Sequence, residues 1–159
     1  MRYPDPALKR IARDVEPGEA AAVAADLLDT MRSHPGCVGL AAPQVGEPVR
    51  VIVVDVSGHR RGRRSHGELV LLNPRVAFAR GGEVAREGCL SVPELTANVR
   101  RATDVVLDAT DLTGARRYIG TSGFEARCLL HEIDHLDGVL FLDRVDSLSR
   151  DVFRRKQYR

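Results

Sequence analysis

Two histidines four residues apart, with a glutamate directly after the first, stand at His131-Glu132-Ile133-Asp134-His135. On an α-helix, positions i and i+4 share one face, so both imidazoles can grip one metal ion. Glu132, one residue along, leans over the open side of that ion as a general base. The chemistry this predicts is cleavage of an amide-like bond by a metal-activated water, whose pKa falls from ~15.7 toward ~7. A helix with two surface histidines is the plainer reading of the same spacing. Against it stand Cys128, Leu129, Leu130, Ile133 and Leu136, which place both histidines inside the protein. A buried histidine pair beside a carboxylate is costly unless it is hydrogen-bonded or holds a metal.

A catalytic site of this kind needs a third protein ligand and one open position. The pattern H-E-x-x-H-x-x-G-x-x-H is followed as far as Gly138 and fails at Phe141, where the third histidine would stand. Glu132 is the last glutamate of the chain, and His34, His59 and His66 lie far upstream. Asp143 and Asp146 are available but nothing specific marks them. Three cysteines remain: Cys37, Cys89 and Cys128. One helix face cannot easily wrap three ligands around one ion, so Cys128 reads as a small buried hydrophobe. Cys89 follows Gly88 in Glu87-Gly88-Cys89-Leu90-Ser91, and a glycine there lets a strand end press against a metal. Cys89 is the favoured third ligand; an inert buried thiol is the alternative.

Three segments now stand out: Gly39-Leu40-Ala41-Ala42-Pro43-Gln44, Glu87-Gly88-Cys89-Leu90-Ser91 and the histidine pentad. They resemble the three signature motifs of peptide deformylases, in that family's order. Tyr3-Pro4-Asp5-Pro6-Ala7-Leu8 resembles the family's opening segment, and the likeness runs over nearly the whole chain. The resemblance implies a hydrolase that removes the N-formyl group from the initiator methionine of nascent polypeptides. It implies Cys89, His131 and His135 on the metal, Glu132 as acid and base, and Gln44 with the backbone N–H of Leu90 as oxyanion donors. It places Val38, Gly39, Gly88 and Cys128 along the substrate. It also implies one divalent transition ion, ferrous iron foremost, with zinc, nickel or cobalt as substitutes. Sulfur and imidazole ligands select such ions over magnesium.

Two positions depart from the family pattern. Cys37 stands where the first glycine of G-x-G-L is usual, and a thiol there narrows the substrate groove or adds an oxidisable group. Leu130 stands where glutamine usually precedes the histidine pentad, which removes a polar neighbour without touching ligand or base. Two rival readings stay open. One is another H-E-x-x-H amidase or peptidase, favoured if Asp143 held the metal. The other is a non-catalytic, metal-stabilised module associated with the ribosome; Glu132 speaks against it, since a structural site needs no base and closes with four protein ligands.

The elements that must position these residues are partly visible. Ser122-Gly123-Phe124-Glu125 has the form of a capping box, with Gly138 at the far end as the C′ residue, predicting a helix of about four turns. Phe124, Cys128, His131 and His135 fall on one stripe of it. Residues 19–33 read as an Ala-rich helix with Val23, Leu27 and Met31 on one face, stopped by Pro35. Residues 50–56, 69–72, 84–86, 105–109 and 116–119 read as strands, the last two joined by a turn at Asp111-Leu112-Thr113-Gly114. A short basic helix and tail spans 148–159. Strands run in succession rather than alternating with helices. That predicts an α+β fold of antiparallel β-sheets packed around a central metal-binding helix, with N- and C-terminal helices, in one domain over 1–159. The small residues 39–42 offer an extended peptide a strand edge to join, or equally form a tight core turn.

At 159 residues one domain can bury ~70% of its unfolded surface. No stretch approaches the about 18 apolar residues of a membrane helix, and the first residues lack the apolar core of a signal peptide. Three cysteines without a secreted-domain pattern argue against a disulfide framework and for a reducing cytoplasm, where a thiolate ligand stays available. The net charge is +2, with basic runs at 59–66 and 150–159. Such runs are usually solvated surface. The tail could dock on ribosomal RNA phosphates; recognition of nucleic acid by sequence is not expected.

Overall fold

The computed structural model describes residues 1–62 and 64–155. Five strands form one antiparallel sheet in the order β1 (Gly39–Ala41), β2 (Val51–Val54), β3 (Leu69–Arg80), β6 (Asp104–Thr110) and β7 (Arg116–Ser122). A second sheet holds β4 (Glu83–Cys89), β5 (Val92–Arg101) and β8 (Val152–Arg154), also antiparallel. The helices are α1 (Pro17–Ser33), α2 (Gly123–Leu136) and the single turn α3 (Leu148–Asp151).

Strand β2 explains the layering. All four of its residues are buried. Side chains alternate across a strand, so Ile52 and Val54 pack under α2 with Ala126, Leu129, Ile133 and Leu136. Val51 and Val53 pack on the other face against Ala20, Ala24, Leu27 and Met31 of α1. A continuous β-branched run is what a strand covered on both faces requires. The opposite side of α2 meets the smaller sheet, where Cys89, Val92, Ala97 and Val99 form a third cluster with Leu8, Leu140 and Phe141. Helix α2 therefore lies between the sheets, and almost every residue from Glu125 to Leu136 is buried.

The β6–β7 hairpin forms as its turn residues predict: the Asp111 carboxylate accepts from the N–H groups of Thr113 and Ala115 at 2.9 and 3.1 Å, and Gly114 takes φ +86°. Gly138 ends α2 with φ +70°, one residue past the C-cap Asp137. Three expectations need correction. Ser122 sits at the N-cap of α2 but makes no capping bond. The Glu125 carboxylate instead accepts from the backbone N–H and Nδ1 of His66, each at 2.8 Å, and from the Thr121 hydroxyl at 2.6 Å, which ties the basic loop to the helix. Strand β3 runs well past the expected Leu72, because Asn73 absorbs a register shift at φ +50° while its amide bonds both backbone groups of Val15. The C-terminal helix is one turn long; Val152 and Phe153, both strand formers, then pair with β5 as β8. Residues 156–159 of the expected tail lie outside the described residues. Among the described residues no helix is long and apolar enough to cross a membrane.

Candidate active site

Cys89 ends β4 just past a β4–β5 register shift between Gly88 and Cys89, and beside a tight turn at Leu90-Ser91. That turn presses the thiol onto α2. Cys89 Sγ lies 3.2 Å from His135 Nε2, and Cys89, His131 and His135 each bring a ligand atom within 4.8 Å of the others. The structure thus joins the three residues that the sequence singles out as metal ligands. Asp143, the rival ligand, is elsewhere: its carboxylate accepts from the Leu140 N–H at 2.7 Å and pairs with Lys9.

His131 is oriented by a residue whose role the sequence reading did not assign. Glu87 Oε2 accepts from His131 Nδ1 at 2.8 Å, which leaves Nε2 free to face Cys89. Carboxylate–histidine pairs of this kind fix the tautomer of a metal ligand. Arg101 grips Glu87 through two bonds of 2.8 and 3.0 Å, and Arg127 adds a third at 2.8 Å. Arg101 also reaches Asp134 at 2.5 Å, where Arg144 binds both oxygens at 3.0 and 2.7 Å. Burial pushes the Glu87 carboxyl up, but the hydrogen bonds from His131 and Arg101 and their charges overcome it and hold it down at about 2. Burial likewise opposes charge on His131, yet hydrogen bonds to Cys89 and Glu87 raise it well above the ordinary histidine value. The two shifts are the two sides of one ion pair: each partner holds the other in its charged form. His135 moves the other way, lowered by burial and by the charge of His131.

Glu132 is 5% exposed, and its Oε2 has no hydrogen-bond partner. Burial pushes its carboxyl up to about 7, against the lowering charges of His131 and Arg101. A cation held by the neighbouring ligands draws it back down. Gln44 stands in a 3₁₀ turn after β1. Its side-chain oxygen accepts the Ala41 N–H at 2.9 Å, so its NH₂ points at the site, donating to Cys89 Sγ at 3.3 Å and Ser91 Oγ at 3.1 Å. Leu90 lies at the turn tip, 36% exposed.

Two cavities open on these groups. One of about 360 Å³ has Val38, Phe124 and Cys128 as apolar walls and His131 and Glu132 at its base. A smaller one of about 160 Å³ is lined by Gly39, Gln44, Cys89 and Leu90. Gly88 borders both. Of the residues that the resemblance implicates, all but His135 line one cavity or the other; His135 is fully buried behind Cys89. Strand β1 is the outer strand of its sheet, so its free edge runs beside the cleft at Gly39. Cys37 also lines the smaller cavity; its thiol donates to the Gly39 carbonyl at 3.2 Å, and burial pushes it up to about 11. Leu130 packs against the main core, which gives it no polar part to play. A thiolate and two imidazoles are a donor set for a divalent transition ion.

A family model described as polypeptide deformylase matches residues 1–151. The peptide deformylase of Syntrophobacter fumaroxidans is 42% identical over 156 residues, covering 97% of this chain and 89% of that protein. Peptide deformylase 2 of Vibrio cholerae is 40% identical over 157 residues, covering 98% and 90%. The crystal structure of the deformylase from Thermus thermophilus superposes with a TM-score of 0.81 at 40% identity, over 91% of this chain and 83% of that one. The Legionella pneumophila deformylase gives 0.84 at 38% identity, over 94% and 86%. With its Cys-His-His ligand group in place, the chain belongs to the peptide deformylase family, metallohydrolases that remove the formyl group from N-terminal formylmethionine.

Proposed function

We propose that Glu132 is the general base and acid of this deformylase, and that Gln44 and the Leu90 N–H are its oxyanion donors. Cys89, His131 and His135 would hold the metal, which when bound supplies Lewis-acid polarisation of the carbonyl and lowers the pKa of a coordinated water. The observation that carries the assignment is the Glu132 carboxyl: buried in the cleft beside the ligand residues with one oxygen unpartnered. A carboxylate so placed takes a proton from water and returns it to the leaving amine. The Ala41 N–H occupies the Gln44 oxygen, so it is the donor end of the amide that faces the site. The substrate backbone adds to the β1 edge at Gly39, the methionine side chain enters the larger cavity between Val38 and Cys128, and the chain passes Gly88, which borders both cavities.

The metal we assign is ferrous iron, with zinc, nickel or cobalt able to replace it. Activity that is high after anaerobic purification and decays in air supports iron, since both the ion and its thiolate ligand oxidise. We place the enzyme in the cytoplasm, acting on chains as they leave the ribosome, with the basic C-terminal residues making the ribosome contact. The central test is formate release from formyl-Met-Ala-Ser beside acetyl-Met-Ala-Ser. Only the formyl peptide should turn over. Glu132→Gln should retain its metal and lose about 10²–10⁴ in kcat; unchanged turnover would remove Glu132 from the mechanism.

A further inference from the structure

The turn from β8 carries a cation to the mouth of the cleft. Arg155 follows the strand, its backbone N–H donating to the Glu94 carbonyl at 2.8 Å, with Arg154 paired to Leu95 just before it. Its guanidinium lies on Gly88: a Cβ there would stand 2.1 Å from Arg155 Nη2. Arg155 borders both the larger cavity and the metal-side cavity. Arg86, two residues before Gly88, stacks its guanidinium 3.5 Å over the Phe153 ring and bonds Thr96 Oγ1 at 3.3 Å. Arg60 and Arg61 complete the rim of the larger cavity. Among the described residues no carboxylate pairs with Arg86 or Arg155, and Glu87, which lines the same cavity, is already held by Arg101 and Arg127. The rim is thus cationic around a pocket whose apolar walls are Val38, Phe124 and Cys128. Removing a formyl group from methionine does not require that charge.

We propose that Arg155, with Arg86 beside it, selects formyl-methionyl peptides that carry an acidic side chain at one of the two residues after methionine. The inference rests on the cleft being the formyl-peptide site. Successive side chains of an extended peptide point to opposite sides at ~3.3 Å per residue. With methionine in the larger cavity, the third residue faces that cavity's rim and the second faces the metal-side cavity; Arg155 reaches both.

The test compares kcat/KM for formyl-Met-Glu-Ser, formyl-Met-Ala-Ser, formyl-Met-Lys-Ser and formyl-Met-Ala-Glu. At low salt the wild type should prefer a glutamate peptide over the lysine peptide about five- to tenfold, the range of one or two exposed ion pairs. Near 1 M salt, where screening acts over about 3 Å, the ratio should approach unity. Arg155→Ala should flatten the ratio and Arg155→Glu should invert it, while Arg80→Ala, an exposed arginine on β3, leaves it in place. A wild type that turns over all these peptides equally overturns the acidic preference and leaves the deformylase reading intact. A wild type that turns over none of them overturns the reading beneath it. If the Arg155 variants fail to fold, the salt dependence of the wild-type ratio decides: a ratio unmoved by salt sinks the proposal.

Discussion

Gly39 has no side chain because Glu132 occupies the space. A Cβ at that position would lie 2.7 Å from Glu132 Oε1 and 3.0 Å from its Cγ. Gly39→Ala should push the carboxylate aside while leaving the three ligands untouched. Displacing a catalytic group by about 1 Å can cost ~10²-fold in rate, so kcat should drop by about that factor at unchanged metal stoichiometry, measured by elemental analysis of the purified variant. At this scale the ligands were legible, since His131, Glu132 and His135 announce themselves by helical spacing and Cys89 by its motif. Glu87 was not assigned, although it stands two residues before Cys89 and so on the same strand face. The available signal was chemical: a metal-bound histidine needs a partner on its second nitrogen.

Among the elements, β5 carries more of the site than its sequence suggests. Its inward residues are Ala97, Val99 and Arg101, and the last is buried only because Glu87 and Asp134 neutralise it. A strand whose core face ends in arginine does not show a clean apolar alternation, which is why it escapes a reading based on periodicity. Arg101→Met should cost about 3–5 kcal/mol, the range for removing one partner from a buried ionic group. It should also loosen His131, so weaker metal retention against a chelator should accompany the fall in Tm. By contrast, α1, β2 and β6 follow their hydrophobic patterns closely, because each packs an ordinary apolar face. The lower end of α2 is where local signals misled: Ser122 and Glu125 have the right spacing for a capping box, but His66, far away in sequence, claims the glutamate.

For the whole molecule, the N-terminal segment is stitched to the chain beyond α2. Lys9 pairs with Asp143, which also accepts the Leu140 N–H. Burial pushes the Asp143 carboxyl up, but the hydrogen bonds from Lys9 and Leu140 and the nearby charges of Lys9 and Arg144 leave it lowered overall. A carboxyl lowered by folding stabilises the native state above its unfolded value of 3.8, and that contribution fades as pH falls through the folded value. The Tm difference between wild type and Asp143→Asn should therefore be largest near pH 7 and close progressively below about pH 4. The α+β class followed from strand order alone. The two-sheet division did not, because it depends on β5 and on the three residues of β8. Those three residues also shield the outer backbone of β5. Uncovered N–H and C=O groups on a strand invite pairing with another molecule. Protein cut after Asp151 should accordingly self-associate as it is concentrated, visible as rising light scattering, so a protease that nicks the tail would threaten solubility before it touched catalysis.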